Sequence, residues 1–142
     1  MPTWSDILGE LVQSKSEGNQ PQFDGVRRKY LVGLSKYTKR DTILYASRFT
    51  QSSSTVSPED LSITDGDLQG FMEVVHGLQN PNLDFIIHSP GGSIEAASGL
   101  VYYLRSKFSN IRVIVPHLAM SALVALLRSK LLKIILAEHI YG

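Results

Sequence analysis

Two short segments of the sequence carry residue types that could do chemistry, and the first is a glycine-rich turn. Residues 88–93 read His-Ser-Pro-Gly-Gly-Ser, and the adjacent Gly91 and Gly92 let the backbone adopt conformations that are closed to other residues. A helix after such a turn presents free N–H groups and the positive end of its dipole, which can hold an anion, a phosphate or a developing oxyanion. The simpler interpretation is a sharp turn in which Ser93 caps the helix.

The second segment contains a candidate nucleophile. Residues 116–122 read Pro-His-Leu-Ala-Met-Ser-Ala, which places Ser121 just after a predicted strand and at the start of a predicted helix. A nucleophilic serine needs such a position, because small neighbours let a substrate carbonyl approach and nearby N–H groups can stabilise the oxyanion. The simpler alternative is that Ser121 caps the helix.

The two segments are more informative together, because they follow consecutive strands of one predicted strand–helix–strand unit. In a parallel sheet the carboxyl ends of such strands lie at the same edge, which is where ligands bind. One turn would then supply oxyanion donors and the other the nucleophile. This is the arrangement that acyl transfer requires.

Several runs of the chain resemble one family of enzymes. The run Asp-Phe-Ile-Ile-His-Ser-Pro-Gly-Gly-Ser at residues 84–93 and the run at residues 116–122 look like the serine dehydrogenase proteinases, as do residues 24–31 and 71–78. This family belongs to the Clp protease and signal peptide peptidase-like serine peptidases, which share the crotonase-like fold. The resemblance extends over about residues 1–122.

The resemblance implies a site and an assembly. It assigns Ser121 as the nucleophile. It assigns the backbone N–H groups of Gly92 and Ala122 to the oxyanion hole, with Gly91 shaping the turn. It also implies a peptide or protein substrate and a homo-oligomer.

The general base is not identified by the resemblance. In the superfamily the base normally lies farther along the chain, and the family pattern does not continue after residue 122. The candidates within this chain are His88, His117 and His139, since a serine hydroxyl needs a base within hydrogen-bond reach. We therefore expect a truncated family member that is weakly active or inactive, with open edges on the strands at residues 83–88 and 111–115.

Two other functions are compatible with the same residues. A crotonase-like acyl-CoA enzyme would use the glycine turn to polarise a thioester carbonyl, and Ser121 would only cap a helix. A non-catalytic assembly partner or gene fragment is the third interpretation, which the lack of a downstream base favours. Retained activity of a Ser121→Ala variant on an acyl-CoA would support the first of these two.

Hydrophobic periodicity predicts the elements that would position the site. Residues 1–40 are predicted to form a helical N-terminal arm, with a polar linker over residues 16–25. Residues 41–142 are predicted to form part of an α/β domain, in which a crotonase or Clp protease-like parallel sheet is flanked by helices. The continuous apolar runs at residues 83–88 and 111–115 indicate strands buried on both faces. Ile94 is predicted to lie on the buried face of the helix between them.

Composition excludes several classes of function. The chain has 142 residues, of which 43% are hydrophobic and 19% charged, and its net charge of +1 gives no reason to expect nucleic acid as a partner. No cysteine is present, so thiolate chemistry is excluded, and no other spacing suggests a metal or cofactor. Charged residues interrupt the apolar residues 118–136, so we expect a core segment and not a membrane span, with Lys130 and Lys133 on the solvated edge of a last helix. We expect a cytoplasmic protein.

Overall fold

The computed structural model describes residues 2–15, 20–47, 63–89 and 93–116, together with the backbone of residues 133–136. The chain divides into two compact units, Met1–Lys39 and Arg40–Gly142. Within the part of the chain that the structure describes, no helix is both long and apolar enough to cross a membrane.

The first unit contains two helices, α1 (Trp4–Gln13) and α2 (Phe23–Thr38). A capping box starts α1, in which the Asp6 carboxylate accepts the Thr3 N–H at 2.7 Å and the Thr3 hydroxyl accepts the Asp6 N–H. Helix α2 begins at Phe23, so the prediction of a linker up to residue 25 is wrong at its end. Asp24 in the first turn suits the helix dipole, and one glycine beside it costs a helix only about 1 kcal/mol.

The second unit is built on a four-stranded parallel sheet in the order β1-β2-β3-β4. Its strands are β1 (Asp41–Ala46), β2 (Asn82–His88), β3 (Asn110–Val115) and β4 (Lys133–Leu136). Helix α3 (Asp65–Val75) lies between β1 and β2 in sequence, and helix α4 (Ile94–Lys107) between β2 and β3. The predicted α/β class with a parallel sheet and flanking helices is confirmed at this level.

The core occupies one face of this sheet. Alternate residues of β2, namely Leu83, Phe85 and Ile87, are at most 1% exposed, and they cluster with the buried sides of α3 and α4. The other members of the cluster come from all of these elements and include Ile43, Phe71, Val75, Ala97, Leu100, Val101, Leu104, Ile111, Val113 and Val115. The helices therefore cover the sheet with apolar side chains at helical spacing, as the sequence predicts.

The opposite face departs from the prediction that the strands are buried on both faces. Leu44, Ile86 and Ile114 form a row across the three strands and are half-buried. The row beside it contains the charged residues Asp84 and Arg112. The apolar runs of β2 and β3 are therefore each interrupted on this face by one charged residue.

Three other predictions are corrected. Lys133 was expected on a last helix, but it begins strand β4. The branched apolar residues that follow it favour a strand. The expected open edges of β2 and β3 are wrong, since β2 pairs with β1 and β3, and β3 pairs with β2 and β4. The prediction that Ile94 lies on the buried face is wrong, since Ile94 is the first residue of α4 and is 63% exposed.

Candidate functional site

The carboxyl ends of β2 and β3 meet at one edge of the sheet. The two strands pair in parallel, with Leu83 opposite Ile111 and Ile86 opposite Ile114. Strand β2 ends at His88 and β3 ends at Val115. The segments that follow these strands therefore leave the sheet from the same edge, which is where ligands bind in open α/β sheets.

The start of α4 lies directly after the glycine turn in sequence. The Ser93 hydroxyl accepts the Ala96 N–H at 3.0 Å, and the Ser93 carbonyl accepts the Ala97 N–H at 3.0 Å. Ser93 is therefore the N-cap of α4, as the simpler interpretation predicts. The positive end of the α4 dipole is directed to the same end of the sheet as His88.

Of the three histidines predicted as candidate bases, His88 is the one that lies among the described residues. It is half-buried and shares a sheet face with Asp84 and Ile86, opposite to the core. Its carbonyl accepts the Ser47 N–H at 2.9 Å, which extends the β1–β2 ladder by one residue. His88 therefore stands at the edge that the chemistry requires, although its ring faces away from the helices.

Ser47 is a residue at this edge that the sequence analysis missed. Its hydroxyl is buried, and among the described residues it has no hydrogen-bond partner. The signal that could have identified it is its place as the first polar residue after the apolar run of β1, since a parallel sheet brings that strand end beside His88.

The remaining predicted site residues lie outside the described residues. These are the nucleophile Ser121, the oxyanion residues Gly91, Gly92 and Ala122, and the alternative bases His117 and His139. The described residues that flank these segments in sequence are Ser89, Ser93 and Pro116. Ser89 is fully buried.

A buried ion cluster occupies the opposite end of the same strands. The side chain of Asp84 is fully buried and accepts a hydrogen bond from Arg40 Nε at 2.5 Å. Arg112 donates to both oxygens of the carboxylate, through Nε at 2.7 Å and Nη2 at 2.5 Å. Burial alone would raise the pKa of Asp84, but the hydrogen bonds from Arg112 and Arg40 outweigh it and hold the pKa below its ordinary value.

Arg40 links this cluster to the neighbouring backbone. Its Nη2 donates to the Leu83 carbonyl at 2.9 Å and to the Asn110 carbonyl at 3.0 Å. The cluster therefore joins the start of β2 to the start of β3 and satisfies their carbonyls. Its location away from the carboxyl ends gives it a structural role. Among the residues described, no three histidine, aspartate or glutamate side chains are placed to hold a metal ion.

Comparisons with known proteins give no relative. No family model matches the chain, and no curated protein or solved structure matches it either.

Proposed function

We propose that this chain is a serine peptidase-like protein of the Clp protease and signal peptide peptidase type, built on a crotonase-like fold. The observation that carries the proposal is the parallel pairing of β2 with β3. Because of that pairing, the glycine turn at residues 89–92 and the serine segment at residues 117–122 both follow strands that end at one edge.

In the proposed reaction, Ser121 Oγ attacks the carbonyl carbon of a peptide bond while a base takes the hydroxyl proton. The negative charge that develops on the carbonyl oxygen is stabilised by the backbone N–H groups of Gly92 and Ala122. The intermediate expels the amine, which takes up the proton, and an acyl-enzyme remains. Water then attacks the acyl-enzyme, releases the carboxylic acid and regenerates the serine.

His88 is the histidine that we propose as the base. It ends β2 one residue before the buried Ser89, and its backbone is fixed by the hydrogen bond from Ser47. A base must reach the nucleophile to within about 3 Å in the reactive complex. His88 ends β2 at the same edge of the sheet at which β3 ends, before the segment that contains Ser121.

The test is labelling with a fluorophosphonate, which reacts with an activated serine. The wild-type protein should become labelled, and Ser121→Ala should abolish labelling while the circular dichroism spectrum is unchanged. Ser47→Ala is the matched control, because Ser47 lies at the same edge and its hydroxyl has no partner among the described residues. Loss of labelling in Ser47→Ala, with labelling retained in Ser121→Ala, would show that the reactive serine is Ser47 at the end of β1.

The competing functions give different results in the same experiment. Hydrolysis of an acyl-CoA by Ser121→Ala at the wild-type rate would favour the crotonase-like alternative. No labelling of the wild-type protein, together with a folded spectrum, would favour a non-catalytic partner. Labelling of wild type that persists in Ser121→Ala would remove Ser121 from the mechanism.

A further inference from the structure

A groove of about 250 Å³ lies between the edge strand β1 and helix α3. Within the described residues β1 pairs with β2 alone, so its other edge borders this groove. The lining comes from three consecutive residues of β1 and from one side of α3. It consists of Ile43, Leu44, Tyr45, Gly66, Asp67, Gly70, Phe71 and Val74. None of these residues belongs to the peptidase site proposed above.

The edge of β1 that faces away from β2 pairs with no described strand and presents a row of main-chain hydrogen-bonding groups. The Ser47 N–H bonds to the His88 carbonyl, which shows that the odd-numbered residues of β1 face β2. The N–H and C=O groups of Thr42, Leu44 and Ala46 therefore point away from β2. Groups with this spacing match the backbone of one additional strand.

The groove has room for a side chain over two glycines. Gly66, Gly70 and Val74 recur every four residues and form one stripe of α3. A Cβ atom built on Gly70 would meet no atom within 4 Å. The floor below is aromatic, because Phe71 stacks on Tyr45 with ring centroids 5.4 Å apart and meets the buried Phe85 edge-on at 5.7 Å.

The groove also carries a carboxylate. Asp67 Oδ2 accepts the Thr64 N–H at 2.7 Å and the Tyr45 hydroxyl at 3.4 Å, whereas in the described chain no hydrogen bond reaches Oδ1. Burial and the charge of Asp67 raise the pKa of Tyr45 to about 12, so the phenol stays protonated. Helix α3 has no basic residue, and Glu73 flanks the stripe on its solvent side. The groove is therefore complementary to a cation.

We propose that this groove binds an extended polypeptide segment, which adds to β1 as a further strand and places a lysine or arginine side chain against Asp67. The apolar stem of that side chain packs over Phe71 and Val74, and its charged head reaches Asp67 Oδ1. The main-chain groups of Thr42, Leu44 and Ala46 supply affinity, and the carboxylate supplies specificity. This inference does not depend on the peptidase assignment.

The probe is a short fluorescein-labelled peptide of sequence Thr-Lys-Thr-Leu-Thr-Val with blocked ends, added to the full chain. Its lysine, leucine and valine share one face, as a strand over the groove requires. Binding should raise the hydrogen-exchange protection of the Thr42, Leu44 and Ala46 amides, measured by nuclear magnetic resonance. A peptide with glutamate in place of lysine should bind at least about tenfold more weakly.

Two variants localise the binding. Gly70→Leu should abolish peptide binding and still fold, since leucine favours a helix and its Cβ meets open space. Gly33→Leu in α2 is the matched control, because a Cβ there also meets nothing within 4 Å, and it should leave the affinity unchanged. Asp67→Asn should weaken binding about tenfold, while the amide oxygen still accepts the Thr64 N–H.

Several results would overturn the proposal. Unchanged affinity in both Gly70→Leu and Asp67→Asn would place the peptide elsewhere. Equal affinity for N-acetyl-lysine amide and for the peptide would show that the groove takes a free amine and that no strand is added. Self-association of the chain that Gly70→Leu abolishes, without peptide binding, would assign the groove to a second copy.

Discussion

Asp84 shows how one charged residue can be placed inside a core strand. Its side chain has no solvent exposure, yet each carboxylate oxygen accepts hydrogen bonds from an arginine. A buried pair of this kind adds little net stability when compared with an apolar replacement, because desolvation offsets the attraction. Removal of one partner is different, since the charges that remain are left uncompensated.

Asp84→Asn should therefore lower the free energy of unfolding by about 3–5 kcal/mol, measured by urea denaturation at pH 7. Arg40 and Arg112 would lose the anion that both of them contact. Asp24→Asn is the matched control, because Asp24 pairs with Arg27 at 2.6 Å but is 92% exposed. That variant should lose less than about 1 kcal/mol. Equal losses in the two variants would contradict a special role for the buried cluster.

The same residue makes stability depend on pH in acid. The pKa of Asp84 is lowered in the folded chain, so the unfolded state binds its proton first as the pH falls. The stability from Asp84 is present above its unfolded pKa of about 3.9 and is lost as the pH falls through the lower folded value. The difference in unfolding free energy between wild type and Asp84→Asn should shrink below about pH 4. A constant difference down to pH 2 would mean that the carboxylate is not the cause.

At the scale of elements, helix α4 connects the two strands whose ends carry the proposed chemistry. Its N-terminus is fixed by one side chain, since Ser93 accepts the Ala96 N–H. Five buried residues along α4 then bind the helix to the sheet, namely Ala96, Ala97, Leu100, Val101 and Leu104. The cap therefore fixes where α4 begins.

Ser93→Ala should cost about 1 kcal/mol of unfolding free energy, the usual price of an N-cap hydroxyl, measured by urea denaturation. Ser106→Ala in the same helix is the control, because the Ser106 hydroxyl donates to the Tyr103 carbonyl within the helix. Alanine is a better helix former than serine, so the control should lose less than about 0.5 kcal/mol. A Ser93→Ala variant as stable as the control would show that the cap is dispensable.

The elements of the strand–helix–strand unit could be predicted, because their hydrophobic pattern extends over enough residues to show its period. Strands β2 and β3 and helix α4 appear within one or two residues of their predicted bounds. Strand β4 could not be predicted, because four residues are too few to separate a strand from the apolar side of a helix. Helix α2 begins inside a stretch with Pro21 and Gly25, whose residue types are typical of a linker.

The candidate site was predictable only in its layout. Parallel strands must end at one edge, so the neighbourhood of His88 and Pro116 followed from the pattern alone. Ser47 was not predicted, because its place at this edge depends on β1 pairing with β2, which local pattern does not specify. The ion cluster was missed for the same reason, since Asp84 and Arg112 meet only through the register of their strands.

At the scale of the whole molecule, burial is distributed unevenly between the two units. In Met1–Lys39, Val26 is the buried hydrophobic residue among those described, and α1 has no buried residue. Trp4 and Val12 are 69% and 62% exposed. In the second unit, most of the core side chains are below 5% exposed. Local unfolding should therefore cost least in the first unit.

Amide hydrogen exchange, followed by mass spectrometry, should report this difference directly. Peptides from α1 should exchange at least about 100-fold faster than peptides from β2. Helix α4 is the control for helicity, because it has five buried residues and should exchange as slowly as β2. Protection of α1 equal to that of α4 would show that its apolar side chains are covered in solution.

The ion cluster has a consequence for folding errors. The apolar residues of β2 and β3 alternate so regularly that a slip of two residues would keep every one of them on its own face. Such a slip would carry Arg112 about 6.6 Å away from Asp84 and leave the buried carboxylate with only one of its two arginine partners, Arg40. It would also displace the carboxyl ends of the strands by the same 6.6 Å, which is about twice the reach of a hydrogen bond. The ion cluster at one end of the strands thus disfavours misaligned molecules, in which the strand ends that the proposed site requires would not meet at the other end.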